Sequence, residues 1–230
     1  KRKNLKRVIT IYSNVLTGYN PNEINKEIAD AVTNIPLEEG FEISLTGEEE
    51  EQKEAADFLS KAFMMSIGLI FIILVSQFNS LSKPVIILTQ VVFSLIGVLL
   101  GFIIFNMEIS VVLTGMGIIT VAGVVVKNVI IIIDYTDILQ KDGLEIKEAI
   151  VKAGATRLSP VILTAASTIL GLIPLALAMN INFYTLFTEL SPQIYFGGDT
   201  ASFWGPLAWT IIFGLTFATF LTLVLVPAMY

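Results

Sequence analysis

Apolar positions fall along this chain in two different patterns. Up to about residue 57 they are short and interrupted. Arg7–Leu16 (RVITIYSNVL) is rich in β-branched residues and predicts a strand. Asn20-Pro21 with Glu23 has the spacing of a helix start, a capping residue followed by proline at the first helical position. The helix that follows places Ile24, Ile28, Ala31, Val32 and Ile35 on one face. After Gly40, Phe41, Ile43 and Leu45 alternate with polar residues and predict a second strand over 41–46. Strand, helix and strand in this order predict a right-handed crossover joining parallel strands. Two strands and one helix bury too little for a core of their own, so the rest of the sheet is expected upstream.

From residue 58 the pattern becomes long apolar runs. A spanning helix needs about 20 mostly apolar residues. Five segments qualify: 58–78, 84–105, 110–137, 159–179 and 205–230. Proline stands near the start of three of them, at Pro84, Pro160 and Pro206, and is read as a helix-start signal. Thr46-Gly47-Glu48-Glu49 predicts the start of a helix that continues into the first span. Its acids Glu48–Glu51 are read as first-turn residues favoured by the helix dipole rather than as a cation site. Gly97 and Gly101 form a pair of small residues one turn apart, expected where two helices approach closely.

Composition agrees with this division. The chain has 230 residues, 54% of them hydrophobic and 15% charged. Nineteen of the 34 charged residues lie in 1–57, so the apolar remainder carries few. The net charge of −6 excludes a nucleic-acid binder reliant on a basic stripe. The absence of Cys and His removes thiolate–zinc sites, His-ligated metals, Ser-His-Asp triads and cysteine nucleophiles. No nucleophile–base pair or metal cluster points to an enzyme. The chain begins with Lys and ends in an apolar run, which is read as a piece of a longer protein.

The loops orient the spans. Loop 79–83 holds Lys83, and loop 138–158 holds Lys141, Lys147, Lys152 and Arg157. Loops 106–109 and 180–204 hold no Lys or Arg. The positive-inside rule puts the first pair in the cytoplasm and the second pair, with residues 1–57, outside. Loop 138–158 also carries Leu144, Ile146, Ile150 and Val151 among charges, and predicts a short amphipathic surface helix. The outer loop 180–204 is rich in aromatics, suited to the membrane interface.

Lys127 is the most informative residue. It stands in VAGVVVKNVIIIID, and a lysine at this depth costs several kcal/mol unless paired or hydrated. Asp134 is seven residues on, on the same face but about 10 Å away, too far for direct pairing. Lys127 is therefore expected to need a carboxylate from another helix, with Asn128 assisting; the alternative is a lysine snorkelling to the inner interface. On the fourth span, Arg157 and Thr164 repeat the seven-residue spacing. For Thr164 alone, back-bonding to its own helix is the simpler reading.

Lys-Asn in the third span, and Arg-x-x-Pro-x-x-x-Thr opening the fourth, resemble the C-terminal end of RND (resistance–nodulation–cell division) efflux pumps. The AcrB-like hydrophobe/amphiphile exporters are the nearest branch, and Gly115–Tyr135 and Arg157–Leu175 carry the resemblance most specifically. It implies a helical membrane bundle whose five spans correspond to helices 8–12 of 12, preceded over 1–47 by a partial β-α-β periplasmic porter subdomain. It implies drug:proton antiport from the bacterial inner membrane, driven by the proton gradient without a cofactor. Lys127, Arg157 and Thr164 match three members of the family's proton relay, and Asp134 matches a position that is usually acidic. The acidic partners of the lysine are expected in the missing half. A homotrimer, a periplasmic adaptor, an outer-membrane channel, amphiphilic small molecules and the bilayer are the implied partners. The alternatives are another transporter of the superfamily, exporting lipid or assisting protein translocation, and a membrane scaffold in which Lys127 only orders a subunit contact.

Overall fold

The computed structural model describes residues 2–3, 6–9, 11, 13, 21–33, 35, 43, 48–182 and 193–230. The chain divides into two units, Lys1–Glu51 and Gln52–Tyr230. In the first, β1 (Arg2–Lys3) pairs antiparallel with β2 (Lys6–Arg7), and α1 spans Pro21–Thr33. The helix thus starts at the expected proline. The strand expected over 7–16 is not seen at Val8, Ile9, Ile11 or Ser13, and Ile9 and Ile11 are exposed. The strand expected over 41–46 lies outside the described residues except at Ile43, which is in no strand.

The second unit is built of long helices. They are α2 (Glu48–Phe78, beginning just before the division), α3 (Ser82–Ile104), α4 (Val111–Lys141), α5 (Ile146–Ala176) and α6 (Asp199–Met229). All five are long and apolar enough to cross a membrane. Three boundaries differ from the sequence reading. Loop 138–158 is mostly helix, because α4 runs on to Lys141 and α5 begins at Ile146. The expected surface helix is therefore the first part of α5. Pro160 lies deep inside α5 and Pro206 inside α6, not in first turns. Proline removes one helical hydrogen bond, a loss that membrane helices accommodate locally, so Pro160 and Pro206 do not mark helix starts, whereas Pro84 does lie in the first turn of α3. The outer segment contains a hairpin in which β3 (Met179–Asn182) pairs antiparallel with β4 (Gln193–Phe196).

Helix α6 packs against α3, α4 and α5, and α4 packs against α3 and α5. The core lies among them: Ile87 and Val91 of α3, Val121, Val125, Val129 and Ile133 of α4, and Ile211 and Val226 of α6 are buried. The small residues of α3 permit this approach. A Cβ at Gly97 would overlap the Phe217 side chain, and one at Gly101 that of Phe213. Phe105, Trp209 and Phe213 stack beyond them, with Phe105 and Phe213 centroids 5.2 Å apart. Leu74 of α2 reaches the same core, but most of α2 is uncovered.

Candidate functional site

Helix α4 carries every candidate charge of the third span, and its packing decides what each can do. Counting about 100° per residue from Lys127, Asp134 returns to nearly the same face. Asp137 lies about 80° to one side and Tyr135 about 80° to the other. The opposite face, with Val125, Val129 and Ile133, is buried. Thr120, Gly123, Lys127, Asp134, Ile138 and Lys141 fall on one stripe, and all six are exposed. Asn128, one residue round the helix, is buried at 5% exposure.

Lys127 is thus not buried by its neighbours in this bundle. Among the described residues it makes no hydrogen bond or ion pair, and neither does Asp134. Its ammonium therefore lies on an open face of the bundle, not inside these five helices. Seven residues put Asp134 about two turns away, which explains why the two do not meet.

Arg157 is the candidate that the fold brings to α4. Its guanidinium carbon lies 4.4 Å from the centroid of the Tyr135 ring, and its Nε is buried without a hydrogen-bond partner. The contact follows from the α4–α5 turn. Ala149 and Ala153 of α5 are fully buried against Leu139, with Tyr135 and Leu144 packed beside them. Arg157 continues their four-residue repeat on the same face of α5. Because the two helices run antiparallel from that contact, Lys127 lies about 12 Å outward along α4 and Thr164 about 10.5 Å outward along α5. They stand at one depth, and no bond joins them. Thr164 is exposed and donates to the Val161 carbonyl at 2.9 Å, while Thr168 donates to the Thr164 carbonyl at 2.8 Å. The simpler expectation for Thr164, bonding to its own helix, is what the hydroxyl does here.

The ion pair that the bundle does contain escaped the sequence reading. Lys83 Nζ at the start of α3 donates to both carboxylate oxygens of Asp137, at 2.6 and 2.5 Å. The Tyr230 hydroxyl also donates to Asp137 Oδ1. The ammonium sits 5.8 Å from the Phe78 ring and 5.6 Å from the Tyr230 ring. This corner ties α3, α4 and the end of α6 together. A signal existed, since Lys83 and the end of the third span were both assigned to one side of the membrane. Tyr135 adjoins Asp134, and no local pattern in the sequence marks it as a partner of Arg157. Among the described residues no group of three or more His, Cys, Asp or Glu could hold a metal ion.

Comparison with known proteins places this geometry. The profile of the AcrB/AcrD/AcrF family matches residues 1–230. The swarming motility protein SwrC of Bacillus subtilis (strain 168) is 31% identical over 98% of this chain and 20% of its own length. The cobalt-zinc-cadmium resistance protein CzcA of Cupriavidus metallidurans is 27% identical over the whole chain and 20% of its own length. The toluene efflux pump membrane transporter TtgB of Pseudomonas putida is 29% identical over 70% of the chain and 15% of its own length. A crystal structure of a heavy metal efflux pump superposes with a TM-score of 0.74 at 29% identity, over 94% of this chain and 20% of that one. The chain therefore spans about a fifth of the length of the relatives it matches along its whole extent. It belongs to the AcrB/AcrD/AcrF family, a family of RND transporters and not of enzymes.

Proposed function

We propose that this chain is the C-terminal membrane part of a proton-driven efflux transporter of the bacterial inner membrane, exchanging protons for hydrophobic or amphiphilic small molecules. The observation that carries the reading is the open polar stripe of α4. Lys127 stands there in mid-span without a partner among the described residues, at a depth where an unpaired ammonium costs several kcal/mol. A carboxylate from the remaining part of the protein would satisfy it. Such an acid, held ionised by Lys127, takes up a proton from outside and then loosens its hold on the ammonium. The released lysine shifts the balance between two helix arrangements, which is how proton entry would perform work. Arg157 and Thr164 complete the relay, Arg157 toward the inner mouth and Thr164 at the depth of Lys127. Asp134 and Asn128 flank it.

In this reading the turns 79–81 and 142–145 face the cytoplasm, and the hairpin β3–β4 faces the periplasm. The short turns alternate in the sense the basic residues require. Residues 1–47 are part of a porter subdomain, and the complete transporter works as a homotrimer with a periplasmic adaptor and an outer-membrane channel. The organic substrate class is supported by the resemblance of the Lys127-Asn128 and Arg157-x-x-Pro-x-x-x-Thr164 patterns to the hydrophobe/amphiphile exporters. The likeness to CzcA and to a heavy metal pump favours a second reading, metal-ion export.

The test uses the full-length transporter in proteoliposomes with an imposed pH gradient. Lys127→Met should reduce substrate-coupled proton flux at least about tenfold, with normal protein levels, because the relay then lacks the cation that holds its acid ionised. Unchanged flux would end the relay reading. Supplying an amphiphilic dye in one set of vesicles and Zn²⁺ or Co²⁺ in another decides the substrate class, since only the true substrate should accelerate proton entry.

A further inference from the structure

The α4–α5 seam contains a contact that the relay as described does not use. Arg157 is the only cation on the buried face of α5, and the group placed against it is a neutral ring. Ala149 and Ala153 are fully buried, so α4 lies close enough for Tyr135 to pack into the seam beside the arginine. The guanidinium carbon is 4.4 Å from the ring centroid, within the range at which a cation is held by an aromatic face. Arginine suits such a site because its planar group stacks on a ring, where an ammonium would only point at it. Asp134, the neighbour of Tyr135 in sequence, is turned about 100° away and lies on the exposed stripe. No carboxylate pairs with Arg157 among the described residues. The Nε edge is shut into the seam without a partner, so the remaining N–H donors form the group's only outlet.

We infer that Tyr135 is a positioning residue for the proton relay: its ring holds the Arg157 guanidinium against α4 while leaving the arginine's charge and terminal donors unspent. An anionic group at the inner mouth then meets a cation already ordered. An aspartate in place of the ring would neutralise Arg157, and an aliphatic residue would leave it free to swing toward water. The inference rests on the relay reading of Arg157.

The test again uses the full-length transporter in proteoliposomes, with proton flux as the readout. Arg157→Met examines the underlying reading, and a large loss of flux is expected. If that variant transports normally, the relay role of Arg157 fails and the positioning role falls with it. Given a loss, Tyr135→Phe and Tyr135→Trp should keep flux near the starting level, because both retain a ring face. Tyr135→Leu should lower it roughly threefold to tenfold. Normal flux in Tyr135→Leu would overturn the positioning role while leaving the relay intact. Should Tyr135→Leu fail to accumulate in the membrane, a series of increasingly fluorinated phenylalanines at 135 decides the matter. Fluorination withdraws charge from the ring face at nearly constant shape. A graded fall in flux supports the inference, and a flat series overturns it.

Discussion

Asp134 and Asp137 stand one helical turn apart on α4 and have opposite surroundings. Asp137 faces the closed inner corner, where Lys83 and Tyr230 bond to it and Phe78 lies against the lysine. Asp134 faces the open stripe beside Lys127 and has no partner among the described residues. The two lysines divide in the same way, Lys83 paired and Lys127 not. The difference shows that a charge in an apolar helix does not announce its role. A carboxylate that meets its cation within the bundle fastens helices together. One left on an uncovered face is available to a group from elsewhere, or to a proton. What separates the two is about 60° of rotation about the helix axis.

This contrast can be broken from the closed side first. Lys83→Met should lower the stability of the detergent-solubilised protein by about 2–3 kcal/mol, because it leaves a partly buried carboxylate without its cation. The side chains are 24% and 17% exposed, so the full cost of a wholly buried pair is not expected. Exchanging the charges, Lys83→Asp with Asp137→Lys, should recover part of the loss in the unfolding midpoint. No recovery would mean that the corner is held by packing alone. Removing apolar contact from the buried face of the same helix comes next. Ile133→Ala should cost roughly 2 kcal/mol, the low end of the range for buried residues, since lipid is as apolar as the core it replaces. Asp134→Asn should change stability by less than about 0.5 kcal/mol, as for a surface position away from any network. A clear drop there would show that Asp134 already has a structural partner and that the stripe is not open.

The helices also differ in how far they are covered. The apolar windows of α3, α4 and α6 are 44%, 50% and 39% buried, against 6% for α2 and 11% for α5. Small residues let the first group close up: Gly97 and Gly101 admit the Phe217 and Phe213 side chains of α6 to the α3 backbone, and Gly117 of α4 admits Thr210 of α6. Helix α2 presents Phe58, Met64, Leu69 and Ile72 outward, a surface fit for lipid or for further helices.

Much of this was legible in the residues. Five spans, the packing role of Gly97 and Gly101, and the helix beginning at Pro21 follow from local rules, since run length, small-residue spacing and helix-start chemistry act over a few residues. The errors arose where a local signal was overridden. Pro160 and Pro206 look like helix starts, yet the preceding residues are helical too; ahead of Pro160, Ala149 and Ala153 have a partner in Leu139. Arg157 was singled out by its motif, but nothing in the motif pointed to Tyr135. The pair Lys83–Asp137 is separated by 54 residues, beyond the reach of any periodicity.

The sequence by itself determined that most of this chain belongs in a membrane, that five of its segments are long and apolar enough to cross one, and that one lysine is stranded among aliphatic residues. These are properties of composition and of a 3.6-residue period, and they need no neighbour to be true. The tertiary structure decided which charges are spent. It closed Asp137 against Lys83, laid Arg157 on Tyr135 and left Lys127 and Asp134 on an uncovered face. Those outcomes depend on which face of each helix meets another, and that is set by the packing of all the helices together.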